Sequence, residues 1–313
     1  MKLSIIIPVY NGAATIRELV TELNAELASR FDLEVLLVND ASPSDNSAEV
    51  CEEIALRNRW VTFLDLSRNF GEHNAVMVGL NFCTGDGAVI LDDDFQNPPS
   101  EVARLVDKLN EGYDVVYSRY EKKRHAGLRN LGSSFNNLVA TILIGKPRDL
   151  YLSSFKAITR FVIDELVKYT GPYPYIDGLI LRVTRNYTTV LVEHRPREVG
   201  TSGYSVRKLV SLWLNMFTNF SILPLRVATI LGFGFATLGL VGATIFLIEK
   251  IRHPDLPAGW PSLIISLFVI SGVQLFALGV VGEYLGRLFM KDNGNPQFVV
   301  RKAINCRRPK DDA

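Results

Sequence analysis

"VILDDDFQNPPSEV", residues 89–102, is the stretch on which the fold and the chemistry of this chain both depend. Apolar residues from Ala88 to Leu91 predict a short buried strand, and the three aspartates Asp92, Asp93 and Asp94 follow it directly. Two like charges about 4 Å apart repel by roughly 4 kcal/mol at a near-surface dielectric. The stretch therefore predicts either an acidic surface loop or carboxylates that share a bound cation.

Around this stretch, short apolar runs alternate with longer amphipathic runs as far as residue 120. The predicted strands are Leu3–Val9, Glu34–Asn39, Val61–Leu66, Ala88–Leu91 and Asp114–Tyr117. The predicted helices are Ala13–Ser29, Asp45–Arg57, Glu72–Phe82 and Pro99–Glu111. Such alternation predicts an α/β fold with a parallel, doubly wound sheet, in which ligands bind at the carboxyl ends of the strands.

The turn after the first strand reads YNGAAT, residues 10–15, and has one glycine. A dinucleotide-binding site would want G-x-G-x-x-G after the first strand, and neither that loop nor a Walker loop is present here. Mg²⁺ takes carboxylate oxygens together with substrate phosphates. Because side chains alternate along a strand, we expect Asp92 and Asp94 on one side and Asp93 on the other. The pattern favours a nucleotide diphosphate bound through a divalent cation.

Composition excludes several classes of function. The chain has 313 residues and a net charge of +1, which gives no general reason to expect nucleic acid as a partner. Its three cysteines include no C-x-x-C pair, so we expect neither a disulfide framework nor a zinc site.

Two apolar segments, Val227–Ile248 and Ser262–Gly282, are each long enough for a membrane-spanning helix. A pair of buried core helices is the alternative. Basic residues are dense before the first segment and after the second, whereas the connection between them has only Lys250 and Arg252 besides one histidine. The positive-inside bias predicts a two-span hairpin in the inner (plasma) membrane, with both termini and the N-terminal body in the cytoplasm.

Two further segments lie between the predicted sheet and the hairpin. YSRYEKKRHAGLRNLGSS, residues 117–134, is either a solvated basic loop or a cradle for a lipid phosphate, since guanidinium groups bind phosphate oxygens bidentately. SVRKLVSLWLNMFTNFS, residues 205–221, has apolar residues at helical spacing. It is either an ordinary packing helix or an amphipathic helix at the membrane surface.

Five motifs occur in a characteristic order: IIIPVYN (5–11), VNDASPSDNS (38–47), LSRNFGEHNAVMVGL (66–80), TGDGAVILDDDFQNPP (84–99) and RPREVGTSGYS (195–205). Together they resemble glycosyltransferase family 2, the inverting GT-A enzymes, and more narrowly its polyprenyl-phosphate glycosyltransferase branch. The resemblance implies a Rossmann-like GT-A domain over residues 1–204, an interfacial helix over 205–225, the hairpin over 226–290 and a basic cytoplasmic tail over 291–313.

The resemblance also implies roles for individual residues. Nucleotide-sugar binding would involve Pro8, Tyr10, Asn11, Asp40, Asp92 and Asp93. A Mg²⁺ or Mn²⁺ ion would be bound by Asp92, Asp94 and Gln96. The acceptor phosphate would contact Arg119, Arg129, Ser133, Arg197 and Ser202. Catalysis would depend on Asp92, Asp94, Arg119 and Arg129.

Three positions depart from the family pattern. Asp93 occupies the middle of the D-x-D signature, where a small residue is usual, and Gly12 stands where relatives usually have glutamate. Gly203 stands where a lysine is frequent, so Arg207 or Lys208 would have to replace it.

The expected reaction moves a sugar from a UDP- or GDP-linked donor to a polyprenyl phosphate such as undecaprenyl phosphate. A phosphate acceptor is already ionised near pH 7, so no general base is needed, and Asp93 is the nearest spare carboxylate if one exists. The alternatives are a membrane glycosyltransferase with a sugar-hydroxyl acceptor, for which a Q-x-x-R-W motif is missing, and a non-catalytic protein that binds lipid or nucleotide sugar. The sequence leaves open which sugar and nucleobase are used and whether the protein forms a homo-oligomer.

Overall fold

The computed structural model describes residues 1–120, 147, 150–171, 173–193, 195, 223–252, 259–294 and 296–306. The chain divides into two compact units, one formed by Met1–Ser205 with Pro296–Ala313 and the other by Val206–Asn295. Residues 205–222, which hold most of the predicted interfacial helix, lie outside the described residues.

The predicted alternation of strands and helices over the first 120 residues is confirmed. The strands are β1 (Lys2–Val9), β2 (Asp32–Asn39), β3 (Val61–Leu66), β4 (Gly87–Ile90) and β5 (Val115–Arg119). The helices are α1 (Ile16–Leu27), α2 (Ser47–Arg57), α3 (Glu72–Phe82) and α4 (Ser100–Asn110). Helix α1 is an example of how the apolar pattern predicts a helix. Its buried residues Ile16, Leu19, Leu23 and Leu27 are spaced so that they lie on one helical face.

The five strands of the first 120 residues run in the same direction, as expected, but two later strands run against them, so the sheet as a whole is mixed. The later elements of this unit are β6 (Lys156–Thr159), α5 (Arg160–Leu166), α6 (Ile176–Val183), β7 (Tyr187–Leu191) and β8 (Val300–Ile304). Among the described residues, the strand order is β7-β5-β6-β4-β1-β2-β3-β8. Strand β6 inserts between β4 and β5 and runs antiparallel to both, and β8 runs antiparallel to β3. Such long-range pairings leave no mark in the local pattern of apolar residues.

Strand β1 lies at the centre of the sheet, with β2 and β4 parallel to it on either side. Ile5, Ile6 and Ile7 are fully buried because helices cover both faces of the sheet. Helix α3 approaches β1 closely at Gly79, where a Cβ atom would overlap Cγ2 of Ile6. The carboxyl ends of β1, β2 and β4 are therefore held next to one another, and the polar motifs of the sequence lie there.

The segment after the last helix belongs to the same unit as the sheet. From the sequence, residues 291–313 were predicted to be a separate basic tail. In the structure, Val300–Ile304 form the edge strand β8 of the sheet. The Asn305 side-chain amide donates to the carbonyls of Ala55 (2.6 Å), Val61 (2.9 Å) and Asn58 (3.2 Å). The edge of the sheet next to β3 is thus completed by residues almost at the end of the chain.

The second unit contains the helices α7 (Leu223–Arg252) and α8 (Trp260–Asp292). Among the described residues, Val269–Gly286 in α8 is long and apolar enough to cross a membrane by length and composition, with a mean hydropathy of 1.5. A shorter apolar stretch, Ala228–Gly242, lies in α7. Both predicted spans fall within these two helices, and the crossing of a membrane by both stays a prediction.

Candidate active site

The three aspartates follow β4 in a turn at the carboxyl end of the central strands. The Ser154 hydroxyl donates to Asp92 Oδ2 at 2.5 Å, and the backbone N–H of Gln96 donates to Asp94 Oδ1 at 3.1 Å. Phe95 has a φ of +58° and is 5% exposed, so its buried ring anchors the turn. Asp92 and Asp94 are therefore held in place by hydrogen bonds on a turn that is fixed to the core.

The loop between β1 and α1 has its backbone donors already occupied. Pro8 pairs with Val38 inside the sheet, and Tyr10 and Asn11 are exposed just beyond it. Four successive N–H groups donate to side chains of other loops: Tyr10 to Asp93 Oδ2 (3.2 Å), Asn11 to Ser42 Oγ (3.0 Å), Gly12 to Ser47 Oγ (2.9 Å) and Ala13 to Asp45 Oδ2 (2.9 Å). In a glycine-rich phosphate loop, such N–H groups point at the phosphate. Phosphate charge at this loop has to be neutralised by other groups.

Asp40 lies just beyond β2 and is 3% exposed. Its two carboxylate oxygens accept hydrogen bonds from the backbone N–H groups of Phe70 (2.7 Å) and Gly71 (2.8 Å). Burial raises the pKa of Asp40, and these two hydrogen bonds oppose the rise. The family resemblance associates Asp40 with the nucleotide sugar, and the structure adds that its carboxylate holds the loop between β3 and α3.

Negative charge is concentrated around the aspartate turn. Burial raises the pKa of Asp92 to about 7, and the charges of Glu72 and Asp94 act in the same direction. Glu72 is exposed at the first residue of α3, and its negative charge adds to that of the aspartates. A cation bound at the turn would favour the ionised carboxylates, since an opposite charge within about 4–6 Å favours the charged form.

A buried ion pair that the sequence pattern did not predict lies beside the aspartates. Lys156 lies opposite Ile90 at the end of β4, and its ammonium contacts the Asp177 carboxylate in the first turn of α6. The two side chains are 4% and 9% exposed, and the ammonium lies 5.4 Å from the centre of the Tyr117 ring. A lysine inside the apolar run FKAIT, residues 155–159, is the signal that would have found the pair, because lysine is rarely buried unless it is paired.

Hydrogen bonds also link the aspartate turn to the ends of β5 and β7. Asn97 Oδ1 accepts from the Tyr120 hydroxyl at 2.7 Å, and the backbone N–H of Arg195 donates to the Gln96 carbonyl at 3.0 Å. Arg119, the last residue of β5, is exposed, and alternation along the strand places its side chain on the face of Tyr117. Tyr120 and Arg195 therefore both lie beside this turn.

The remaining predicted acceptor-phosphate residues lie outside the described residues. They are Arg129, Ser133, Arg197 and Ser202. The same holds for Gly203, Arg207 and Lys208, so what replaces the family lysine stays a prediction.

The Asp92 and Asp94 carboxylates have the chemistry that a hard divalent cation prefers. Within the described ranges, no group of three or more His, Cys, Asp or Glu side chains forms a site that could hold a metal ion by itself. Mg²⁺ is usually bound through one or two carboxylates together with water and substrate phosphates. The donor set therefore fits a cation that is held jointly with a phosphate.

Comparison with curated proteins gives matches over nearly the whole chain. The chain is 34% identical over 305 residues to an undecaprenyl-phosphate 4-deoxy-4-formamido-L-arabinose transferase of Pseudomonas fluorescens strain Pf-5, which covers 96% of this chain and 90% of the relative. It is 32% identical over 312 residues to the protein of the same name from Proteus mirabilis strain HI4320, covering 98% and 95%. The resemblance that the ordered motifs indicated is confirmed.

Comparison with solved structures finds a glycosyltransferase with a similar fold. A crystal structure of glucosyl-3-phosphoglycerate synthase from Mycobacterium tuberculosis, in complex with Mn²⁺, UDP-glucose and phosphoglyceric acid, matches with a TM-score of 0.53 and 19% identity over 70% of this chain and 78% of that one. The model of glycosyl transferase family 2 matches residues 4–166. With the mixed GT-A sheet and the aspartate turn at its carboxyl edge, these matches establish that the chain belongs to glycosyl transferase family 2 and is a glycosyltransferase.

Proposed function

We propose that this protein transfers a single sugar from a nucleotide sugar to a polyprenyl phosphate at the cytoplasmic face of the inner membrane. The proposal rests on one observation above all: the backbone donors of the β1–α1 loop are consumed by side chains, while two fixed carboxylates lie beside it. Such a site suits a diphosphate neutralised by a divalent cation. The near full-length similarity to proteins named as undecaprenyl-phosphate transferases supports a polyprenyl phosphate as the acceptor.

Asp92 and Asp94 would hold the Mg²⁺ or Mn²⁺ ion, with Gln96 next to them. When bound, the ion supplies charge stabilisation for the departing diphosphate. Ser154 fixes the orientation of the Asp92 carboxylate through its 2.5 Å hydrogen bond. The nucleotide would lie along the carboxyl ends of β1 and β2, where Tyr10 and Asn11 are exposed.

Catalysis in this proposal consists mainly of alignment. A phosphate monoester has a second pKa near 6, so its oxygen attacks the anomeric carbon without first losing a proton to a base. The bond between the acceptor phosphate oxygen and the anomeric carbon forms as the bond between that carbon and the nucleoside diphosphate breaks. The configuration at the anomeric carbon is thereby inverted. Arg119, which is exposed at the end of β5, would bind the acceptor phosphate, with Arg129, Ser133, Arg197 and Ser202 as its partners.

The second unit supplies the membrane anchor in this proposal. Large apolar side chains on both helices are exposed, among them Phe233 (72%), Leu240 (71%) and Leu275 (69%). A soluble monomer rarely exposes contiguous apolar surface on this scale. The density of Lys and Arg outside the helix connection supports placing the catalytic unit in the cytoplasm, where a nucleotide sugar is available.

The first donor to test is a nucleotide-linked 4-deoxy-4-formamido-L-arabinose, because the relatives named above transfer that sugar. Full-length protein in detergent would be incubated with undecaprenyl phosphate, Mn²⁺ or Mg²⁺ and a panel of UDP- and GDP-linked sugars. Mass spectrometry of the lipid should reveal one added sugar with one donor, and EDTA should abolish the product.

Matched substitutions sharpen this experiment. Asp94→Asn should lower turnover by roughly 100-fold or more, since metal stabilisation of the leaving group is worth several kcal/mol. Asp107→Asn makes the same chemical change at an exposed surface pair with Arg30 and should leave activity unchanged. The proposal fails if no donor in the panel modifies the lipid, and a growing polymer would favour a sugar-hydroxyl acceptor instead.

A further inference from the structure

Gly12 and Asp93 are two of the three positions that depart from the family pattern, and the structure brings these two into contact. Gly12 is buried, and a Cβ atom at this position would overlap Asp93 Oδ2 and stand 3.0 Å from Asp93 Cγ. The same Cβ would stand 3.3 Å from Cγ1 of Val9, a tight contact that a shift of a few tenths of an ångström relieves. The carboxylate of Asp93 therefore occupies the volume that a side chain at position 12 would fill.

The conformation of Gly12 does not explain why a glycine stands there. The glycines with positive φ among the described residues are Gly71, Gly112 and Gly294, and Gly12 is not one of them. Any L-residue has access to backbone angles of negative φ. Space is therefore what limits a side chain at position 12, since its Cβ would have to displace the Asp93 carboxylate.

Asp93 uses this space to hold the nucleotide loop. Its Oδ2 atom, the one that a Cβ at position 12 would displace, accepts the backbone N–H of Tyr10 at 3.2 Å. Tyr10 is followed by Asn11 with a φ of +56°, a left-handed conformation that the surrounding hydrogen bonds must maintain. Ser42, Ser47 and Asp45 hold the next three N–H groups from the β2 side, and Asp93 is the contribution from the β4 side.

We propose that Asp93 and Gly12 form a matched pair in which Asp93 is a positioning residue for the nucleotide-binding loop, and neither a metal ligand nor a general base. This inference rests on the proposed function, since it assigns the loop after β1 to the nucleotide. Asp93 then connects the metal-binding turn to the nucleotide loop. Its hydrogen bond to Tyr10 fixes the position of one part of the donor site relative to the other. Two of the three departures from the family pattern are then one structural feature.

The test is a double-mutant cycle in the full-length protein. Gly12→Ala should displace the Asp93 carboxylate, and Asp93→Ala should remove it. Each should raise the donor KM by about tenfold, the effect of losing one hydrogen bond to a charged acceptor, while the KM for polyprenyl phosphate stays unchanged. The double variant should be no worse than Asp93→Ala alone, because the added methyl group then has room.

Asp93→Asn distinguishes a residue that positions the loop by a hydrogen bond from one that acts as a metal ligand or a general base. The amide keeps an oxygen that can accept the Tyr10 N–H, so this variant should recover most of the donor affinity that Asp93→Ala loses, with kcat unchanged. Asp107→Asn serves as the exposed control for the same substitution. Binding of UDP and of GDP in the presence of Mn²⁺, measured by calorimetry, should weaken in the two single alanine variants without any need for turnover.

Three results would overturn the pair. They are a Gly12→Ala variant indistinguishable from wild type, additive losses in the double variant, and an Asp93→Asn variant whose kcat falls while its donor KM is unchanged. Should Gly12→Ala fail to fold, the two Asp93 variants still decide the point, since neither adds an atom to the loop. A wild-type protein that binds neither nucleotide refutes the proposed function and this inference together, whereas normal wild-type binding with unaffected variants refutes the pair alone.

Discussion

Replacing Lys156 with methionine removes the positive end of the buried pair beside the aspartate turn. Lys156→Met keeps most of the apolar stem but leaves the Asp177 carboxylate, whose side chain is 9% exposed, without its ammonium partner. Breaking a buried ion pair from one side costs about 3–5 kcal/mol. For a unit of this size, each kcal/mol lowers Tm by about 2–4 °C, so we expect a fall of roughly 6–20 °C.

The assay is thermal unfolding of the full-length protein in detergent, followed by intrinsic fluorescence. Lys168→Met is the matched control, because Lys168 pairs with Glu165 at 2.5 Å while their side chains are 66% and 37% exposed. An exposed pair of this kind is worth about 0–1 kcal/mol. The control should therefore shift Tm by no more than a few degrees.

A second variant tests whether the loss of stability comes from the unpaired negative charge of Asp177. Lys156→Met combined with Asp177→Leu removes both charges and should recover much of the lost stability, since an apolar pair of similar volume often replaces a buried ion pair without cost. The reasoning is refuted if Lys156→Met behaves like Lys168→Met, or if removing Asp177 adds a further loss of equal size.

Three other changes have defined outcomes. Ser154→Ala removes the hydrogen bond to Asp92 and should raise the Mn²⁺ concentration needed for half-maximal activity by about 10–100-fold, as measured by metal titration. Asn305→Ala loses three contacts to backbone carbonyls and should lower the free energy of unfolding by roughly 1–3 kcal/mol in a thermal or urea unfolding experiment. Burial lowers the pKa of His73 to about 4, below the unfolded value of 6.5, so the unfolded chain takes up the proton first and stability should fall as pH drops from about 6.5 to 4. His73→Gln should flatten that pH dependence in melting curves.

Each of these has a contradicting result. An unchanged metal requirement in Ser154→Ala would mean that the hydroxyl does not orient the Asp92 carboxylate. A fully stable Asn305→Ala would mean that the segment after α8 does not secure the sheet edge. A pH profile of Tm that is the same with and without the His73 imidazole would assign the acid sensitivity to other groups.

Much of the first half of the fold was accessible from sequence. Strands β1 to β5 and helices α1 to α4 appeared at nearly their observed bounds because apolar periodicity depends on residues only a few positions apart. The aspartates at the end of β4 and the loop after β1 were found for the same reason. A strand that ends in polar residues places them at the carboxyl edge of the sheet, whatever the rest of the chain does.

Other features needed the tertiary structure. The insertion of β6 between β4 and β5, the edge strand β8, the Lys156–Asp177 pair and the contact of Gly12 with Asp93 each join segments far apart in the chain. The local pattern of apolar and polar residues determined which residues form strands and which form helices. It also determined which polar groups lie at the carboxyl edge of the sheet, where ligands bind. The pairing of distant strands, and with it the choice of side chains that share a buried space, depended on three-dimensional packing, because volume and charge compensation act between neighbours in space and not between neighbours in sequence.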